Sequence, residues 1–222
     1  MKLFKDYNFA FFHINKTAGT SAKKFLTEVL GSDSYRVGLL LNNKNRPRVH
    51  ETLTYKIERL QQMGIDYTEL KILANIRNPY ERWVSLYTSL ERNFFENPKI
   101  SDFAVLARYL PFDCWFEEYI LHSIQPQHWS QTRYLFIESP LVFRPHIPSN
   151  VYIIKSEDVD EELPKFMEKE LGIKTDLQVP HNNVSNDFRE KDTMDYYPDH
   201  LRKLIYQEEK YIIDNYYPEF KY

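Results

Sequence analysis

A lysine, a glycine and three hydroxyl residues crowd into "NKTAGTS", residues 15–21, between an apolar run and a helical pattern. Gly19 permits a tight turn and a close approach of backbone to a ligand. The amides of Ala18, Gly19, Thr20 and Ser21 fall where a helix would begin, a natural anion site. The hydroxyls of Thr17, Thr20 and Ser21 add donors, and Lys16 adds a full positive charge. The competing reading is a capped strand-to-helix turn with a solvated lysine. The nucleotide-binding loop GxxxxGK[ST] has its glycine and lysine in the opposite order.

A second stretch, "NIRNPYERWVSLY" at residues 75–87, places Arg77 just beyond another apolar run. There its guanidinium could grip a phosphate with two parallel hydrogen bonds. Ser85 follows eight residues later, which on a helix lies within ~12 Å along the axis. Alternatively Arg77 makes a structural ion pair and Ser85 is a surface hydroxyl. Between the two stretches lies His50, in "RPRVHETLT" at residues 46–54. An imidazole with a near-neutral pKa can take a proton from an attacking hydroxyl; otherwise His50 is a polar turn residue. "HETLT" lacks the second histidine of the HExxH zinc motif. His122 and His128 have no third ligand near them in sequence, so no metal is expected. His13 reads as a packed neighbour of the first turn, and Trp115, Phe116, Tyr119 and Trp129 as core.

Elements must hold these residues in place. Three apolar runs, "FAFFHI" (9–14), "KILANI" (71–76) and "NVYIIK" (150–155), do not alternate cleanly. Each fits a strand buried on both faces. A helix is predicted from Thr20 to Leu30, stopped by Gly31. Another begins near Pro79, and a third, near Ser156 or Asp158, meets Pro164. "PDHLRKLIYQEEKYIIDNYY" predicts one closing helix with Leu201, Ile205 and Ile212 on its apolar face. Strands alternating with helices predict a three-layer α/β domain with a mainly parallel central sheet. The turns at Asn15, Arg77 and Ser156 then all fall at carboxyl ends of strands, where such sheets bind ligands.

The chain of 222 residues suggests a single domain, and a formal net charge of −3 leaves polyanion binding to a local basic pocket. No nucleic-acid partner is expected. The single cysteine, Cys114, permits no internal disulfide. No run of ~20 apolar residues predicts a membrane span, and "MKLFKDYNFAFFHI" lacks a signal-peptide cleavage site. A cytoplasmic protein of bacterial or viral origin is the expectation.

The stretches taken together resemble the sulfotransferases, in particular their carbohydrate (type 2) branch. "FFHINKTAGTSAKKFL" is similar to the family's 5′-phosphosulfate loop and "ANIRNPYERWVSLY" to its 3′-phosphate motif. "HETLTYKI", "QTRYLF", "VYIIKSEDV", "VPHNNVS" and the terminal "YYPEF" continue the resemblance in the family's order. The resemblance implies a P-loop-like fold and 3′-phosphoadenosine-5′-phosphosulfate (PAPS) as sulfuryl donor, with no metal required. It implies that Lys16 and the Thr17–Ser21 turn hold the 5′-phosphosulfate, with Arg77 and Ser85 on the 3′-phosphate. Asn183 and Ser185, with Asn182, correspond to cofactor contacts, and His50 to the general base. The acceptor would be a hydroxyl, in that branch one on a carbohydrate. Asn15 departs from the family's proline, and Lys155 stands where arginine is common. A kinase or nucleotide hydrolase, and a non-catalytic nucleotide-binding domain, are the other readings; the lysine-before-glycine order speaks against the first two.

Overall fold

In the computed structural model, residues 1–37, 51–96, 102–120, 130–137, 146–180 and 192–222 are described. Their five-stranded sheet comprises β1 (Lys2–Phe4), β2 (Phe9–Phe12), β3 (Tyr35–Arg36), β4 (Lys71–Ile76) and β5 (Val151–Lys155), ordered β3-β1-β2-β4-β5. The three expected strands are β2, β4 and β5, and they pair in parallel, with Phe12 opposite Ala74 and Ile76 opposite Lys155. Long stretches of chain join them, as parallel neighbours require.

The sheet as a whole is mixed, which corrects the expectation of a mainly parallel one. β1 runs antiparallel to both β2 and β3. One 3₁₀ turn, Lys5–Tyr7, and Asn8 in the left-handed region (φ 46°) join β1 to β2. Four residues cannot make a parallel crossover, so this pair must be a hairpin.

The α-helices among the described residues are α1 (Gly19–Leu30), α2 (Leu53–Gln62), α3 (Pro79–Glu96), α4 (Asp102–Tyr109), α5 (Phe112–Trp115), α6 (Gln131–Leu135), α7 (Val159–Phe166), α8 (Asp199–Glu208) and α9 (Lys210–Tyr216). Among the described residues, no helix is long and apolar enough to cross a membrane.

The chain divides into two compact units, Met1–Ile76 with Arg133–Asn182, and Arg77–Thr132 with Asn183–Tyr222. In the first, Phe9, Phe11 and Leu73 on one sheet face pack with Ala22, Phe25 and Leu26 of α1 and with Leu163 and Phe166 of α7. Each of these leucine and phenylalanine side chains contributes about 1.5–3 kcal/mol when fully buried. α1 stops at Gly31, whose φ of 87° is in the left-handed region that other residues avoid. Pro164 sits inside α7, which gives way after Phe166 to a wider turn, Met167–Leu171, ending at Gly172.

The second unit has an aromatic core. Trp83, Phe112, Trp115, Phe116, Tyr196 and Tyr197 gather with Leu201, Ile205 and Ile213. Trp83 meets Phe116 edge-on at 5.2 Å, and Phe112 meets Tyr197 edge-on at 4.8 Å, the geometry that ring quadrupoles favour. The predicted closing helix is in fact two, α8 and α9, because the backbone leaves helical geometry at Glu209 (φ −108°, ψ 17°). Leu201, Ile205 and Ile212 are fully buried as predicted, and so is Glu209.

Candidate anion-binding site

In the first unit, β2 leads into the turn and α1 leads out. Thr17 is fully buried, and its hydroxyl donates to the Ile14 carbonyl at 3.0 Å, tying the turn to the strand end. Lys16 (φ 66°) and Ala18 (φ 54°) both hold left-handed backbone. For a non-glycine residue that conformation costs about 1–2 kcal/mol, and such strain tends to collect at ligand clamps. Ala18 is the N-cap of α1 but has no side chain able to cap it, and the first turn carries no acidic residue. The amides of Gly19, Thr20 and Ser21 open a twelve-residue helix without a carboxylate or side-chain cap. Such groups suit an anion.

Gly19 is needed for space rather than for an unusual φ. A Cβ there would run into the His13 ring, 2.8 Å from its Cγ. His13 stacks on Phe11 at 6.3 Å and is the packed neighbour predicted. Gly19→Ala should therefore cost about 1–3 kcal/mol in urea denaturation, the usual penalty of overpacking. In a His13→Ala background the same Gly19→Ala substitution should cost far less, because the ring it meets is gone. A single variant as stable as the parent would show that the ring moves freely.

Asn75 is a candidate that the sequence reading passed over. It lies in β4, fully buried, and neither polar atom of its amide has a hydrogen-bond partner in the structure. Continuing the register one step beyond Phe12 and Ala74 puts it opposite His13, beside the turn. An unsatisfied buried amide costs about 1–3 kcal/mol. The signal was available, as an asparagine interrupting an apolar run.

In the second unit, Asn78 caps α3: its Oδ1 accepts from the amides of Tyr80 at 2.9 Å and Glu81 at 3.4 Å. Pro79 occupies the first helical position, as predicted. Arg77 precedes the cap, and its Nη2 donates to Glu81 at 3.2 Å. Glu81 in turn accepts from the Thr193 hydroxyl. Ser85 is buried on α3, at 3 % exposure, and is not a surface hydroxyl.

Behind Arg77 is a polar cluster that the sequence did not disclose. The Gln131 amide accepts from the Arg77 backbone N–H at 2.8 Å and donates to the Arg77 carbonyl at 2.8 Å. The Glu209 carboxylate accepts from the amides of Gln131 at 2.8 Å and Thr132 at 3.1 Å. Arg82 faces Glu209 at 3.8 Å, a charge contact longer than a hydrogen bond, and stacks on Trp83. Burial pushes the Glu209 carboxyl above its ordinary range, against the opposing pull of Arg82 and these donors.

His50, Asn182, Asn183 and Ser185 lie outside the described residues, as do His122, His128 and Trp129. Glu51, next to His50 in sequence, is paired with the buried Lys56, whose Nζ also donates to the Val37 carbonyl at 3.2 Å. Lys155 is half-buried at the end of β5. The Ser156 hydroxyl donates to the Ile76 carbonyl at 2.7 Å and does not cap α7. Trp115 and Phe116 are core. Among the described residues, no group of three or more histidine, cysteine, aspartate or glutamate side chains could hold a metal ion.

The predicted residues thus form two sets, Lys16 to Ser21 in one turn of the first unit, Arg77 and Ser85 at the start of α3 in the second. Both offer cationic or hydrogen-donating groups, the chemistry that binds phosphate or sulfate esters. The family model described as "Sulfotransferase family" matches residues 1–222. No curated protein and no solved structure matched the chain.

Proposed function

Because the chain belongs to the sulfotransferase family and is a sulfotransferase, we propose that it moves a sulfuryl group from PAPS to an acceptor hydroxyl, on a carbohydrate as in the branch its motifs resemble. The observation that carries this reading is the lysine-bearing turn opening α1, a helix start with no side-chain cap and no acidic residue. That turn supports a P-loop-like use of the strand-end site, and both units would serve as one sulfotransferase domain.

The donor set fits the ligand. Lys16 and the Thr17–Ser21 backbone would hold the 5′-phosphosulfate, and Arg77 and Ser85 the 3′-phosphate; Asn183 and Ser185 are further contacts in the same reading. PAPS, when bound, supplies a sulfuryl group that passes to the acceptor oxygen as its bond to the bridging phosphate oxygen breaks. Lys16 and the turn amides hold positive potential where negative charge grows on that phosphate, which favours the transition state over the ground state. The Thr17 hydroxyl, engaged with Ile14, keeps the turn shaped, and the donor it would offer is its amide. His50 takes the acceptor proton as the new oxygen–sulfur bond forms. Arg77 would keep one nitrogen on Glu81 while a guanidinium has five N–H donors to distribute.

The test is direct. Incubation with PAPS and a panel of hydroxyl acceptors should release 3′,5′-adenosine bisphosphate in step with sulfated product. Calorimetry should show that the bisphosphate binds. An absence of binding at millimolar concentration would overturn the proposal.

A further inference from the structure

Arg77 immediately follows the last residue of β4 and precedes the cap of α3. Its peptide group is held from the side by Gln131, which makes both hydrogen bonds that a neighbouring strand would make. The side-chain Oε1 accepts the Arg77 N–H and Nε2 donates to the Arg77 carbonyl, each at 2.8 Å. This two-point contact fixes the orientation of the Gln131 amide and opposes rotation of the Arg77 backbone. Gln131 is fully buried, so no water competes for these bonds.

Gln131 is itself held. Its backbone N–H, with that of Thr132, donates to the two oxygens of Glu209, and the Thr132 hydroxyl adds a third contact at 3.3 Å. Glu209 is fully buried, and its position coincides with the break between α8 and α9. The Arg77 guanidinium is steadied separately, by Glu81, which is fixed by Thr193. Arg77 is thus anchored at the main chain and at the side chain by different segments.

We infer that Gln131, seated on Glu209, is a positioning residue for Arg77 and sets the preference for a nucleotide bearing a 3′-phosphate. The inference rests on the assignment of Arg77 to that phosphate under the proposed function. A donor held in place loses little entropy on binding, and a small misplacement of an anchoring group has a large effect on how well it grips. A Gln131 variant should therefore weaken the grip on the 3′-phosphate without touching the rest of the nucleotide.

The experiment compares affinities for 3′,5′-adenosine bisphosphate and adenosine 5′-monophosphate in the wild type, Arg77→Ala, Gln131→Met and Gln131→Glu. Arg77→Ala should lose the preference for the bisphosphate. Gln131→Met, which keeps the volume but removes both bonds, should reduce that preference about tenfold, with monophosphate affinity unchanged. Gln131→Glu keeps an acceptor for the Arg77 N–H but presents no donor to its carbonyl, and should fall between. Equal loss of both ligands in the Gln131 variants would mean a general structural role and overturn the inference. So would an intact preference in Gln131→Met when Arg77→Ala has lost it. A wild type that does not prefer the bisphosphate, or an Arg77→Ala variant that still does, would instead overturn the assignment of Arg77 itself. Should Gln131→Met not fold, the Gln131→Glu ratio decides. Should neither fold, amide exchange at Arg77 in the wild type decides: protection must rise with the bisphosphate more than with the monophosphate.

Discussion

His50→Ala should cut turnover about 10²–10⁴-fold and leave the affinity for 3′,5′-adenosine bisphosphate unchanged, as expected for removal of a general base. Lys16→Met should differ in kind. Under the proposed function it removes charge from the place where the leaving phosphate becomes more negative, so turnover should fall by about 10²–10³-fold and bisphosphate affinity should fall with it. The Lys16 substitution gives an unusually clean readout because its backbone is left-handed at φ 66°. Methionine carries the same backbone penalty as lysine there, so the backbone adds nothing to any change in stability. Lys16→Gly should be more stable than Lys16→Met by about 1 kcal/mol through relief of that strain, while losing activity to the same degree. Steady-state kinetics, product calorimetry and urea denaturation on the same variants separate these effects. A His50→Ala protein with wild-type turnover would remove histidine from the mechanism; a fully active Lys16→Met protein would remove the lysine.

The parallel strands of the sheet were legible because each is a short apolar run long enough to stand out. β2, β4 and β5 lie where "FAFFHI", "KILANI" and "NVYIIK" put them. β1 and β3 were not legible. They are three and two residues long, and Lys2 and Arg36 interrupt any apolar pattern. Their antiparallel pairing is what makes the sheet mixed. The break between α8 and α9 could have been foreseen. Glu209 falls four residues after Ile205 and three before Ile212, on the apolar stripe itself. A carboxylate on such a stripe must be buried with partners or must distort the helix. Here it does both.

For the site, local chemistry was visible and long-range support was not. The Lys16 turn and the Asn78-Pro79 helix start are written in consecutive residues. The contact between Gln131 and Arg77 spans 54 positions, and that between Gln131 and Glu209 spans 78. Nothing in the spacing of one segment announces the other two. Gly19 was expected for turn geometry, yet its reason is the His13 ring. That reason depends on how the strand end and helix start come together in three dimensions.

The largest stability effect should come from the buried pair of Arg82 and Glu209, and it should be asymmetric. Both residues are fully buried. Glu209→Gln keeps the shape and one acceptor oxygen but removes the charge facing Arg82, whose guanidinium cannot shed its proton. Breaking a buried pair this way typically costs about 3–5 kcal/mol. Arg82→Met should cost less. Glu209 would keep its contacts to Gln131 and Thr132, and burial already pushes its carboxyl above the ordinary 4.5. It can therefore take a proton and become neutral. A carboxyl raised in the folded state contributes stability that is fully present below the unfolded pKa and is lost as pH rises through the folded one. Losing Arg82 raises it further, so the Arg82→Met penalty should be smaller near ~pH 5 than near ~pH 8. The Glu209→Gln penalty should carry no such dependence from this position, since glutamine does not titrate. Urea denaturation of both variants at the two pH values measures this. Equal penalties for the two variants at both pH values would mean that the carboxyl does not titrate with the fold, and that the pair owes its stability to packing alone.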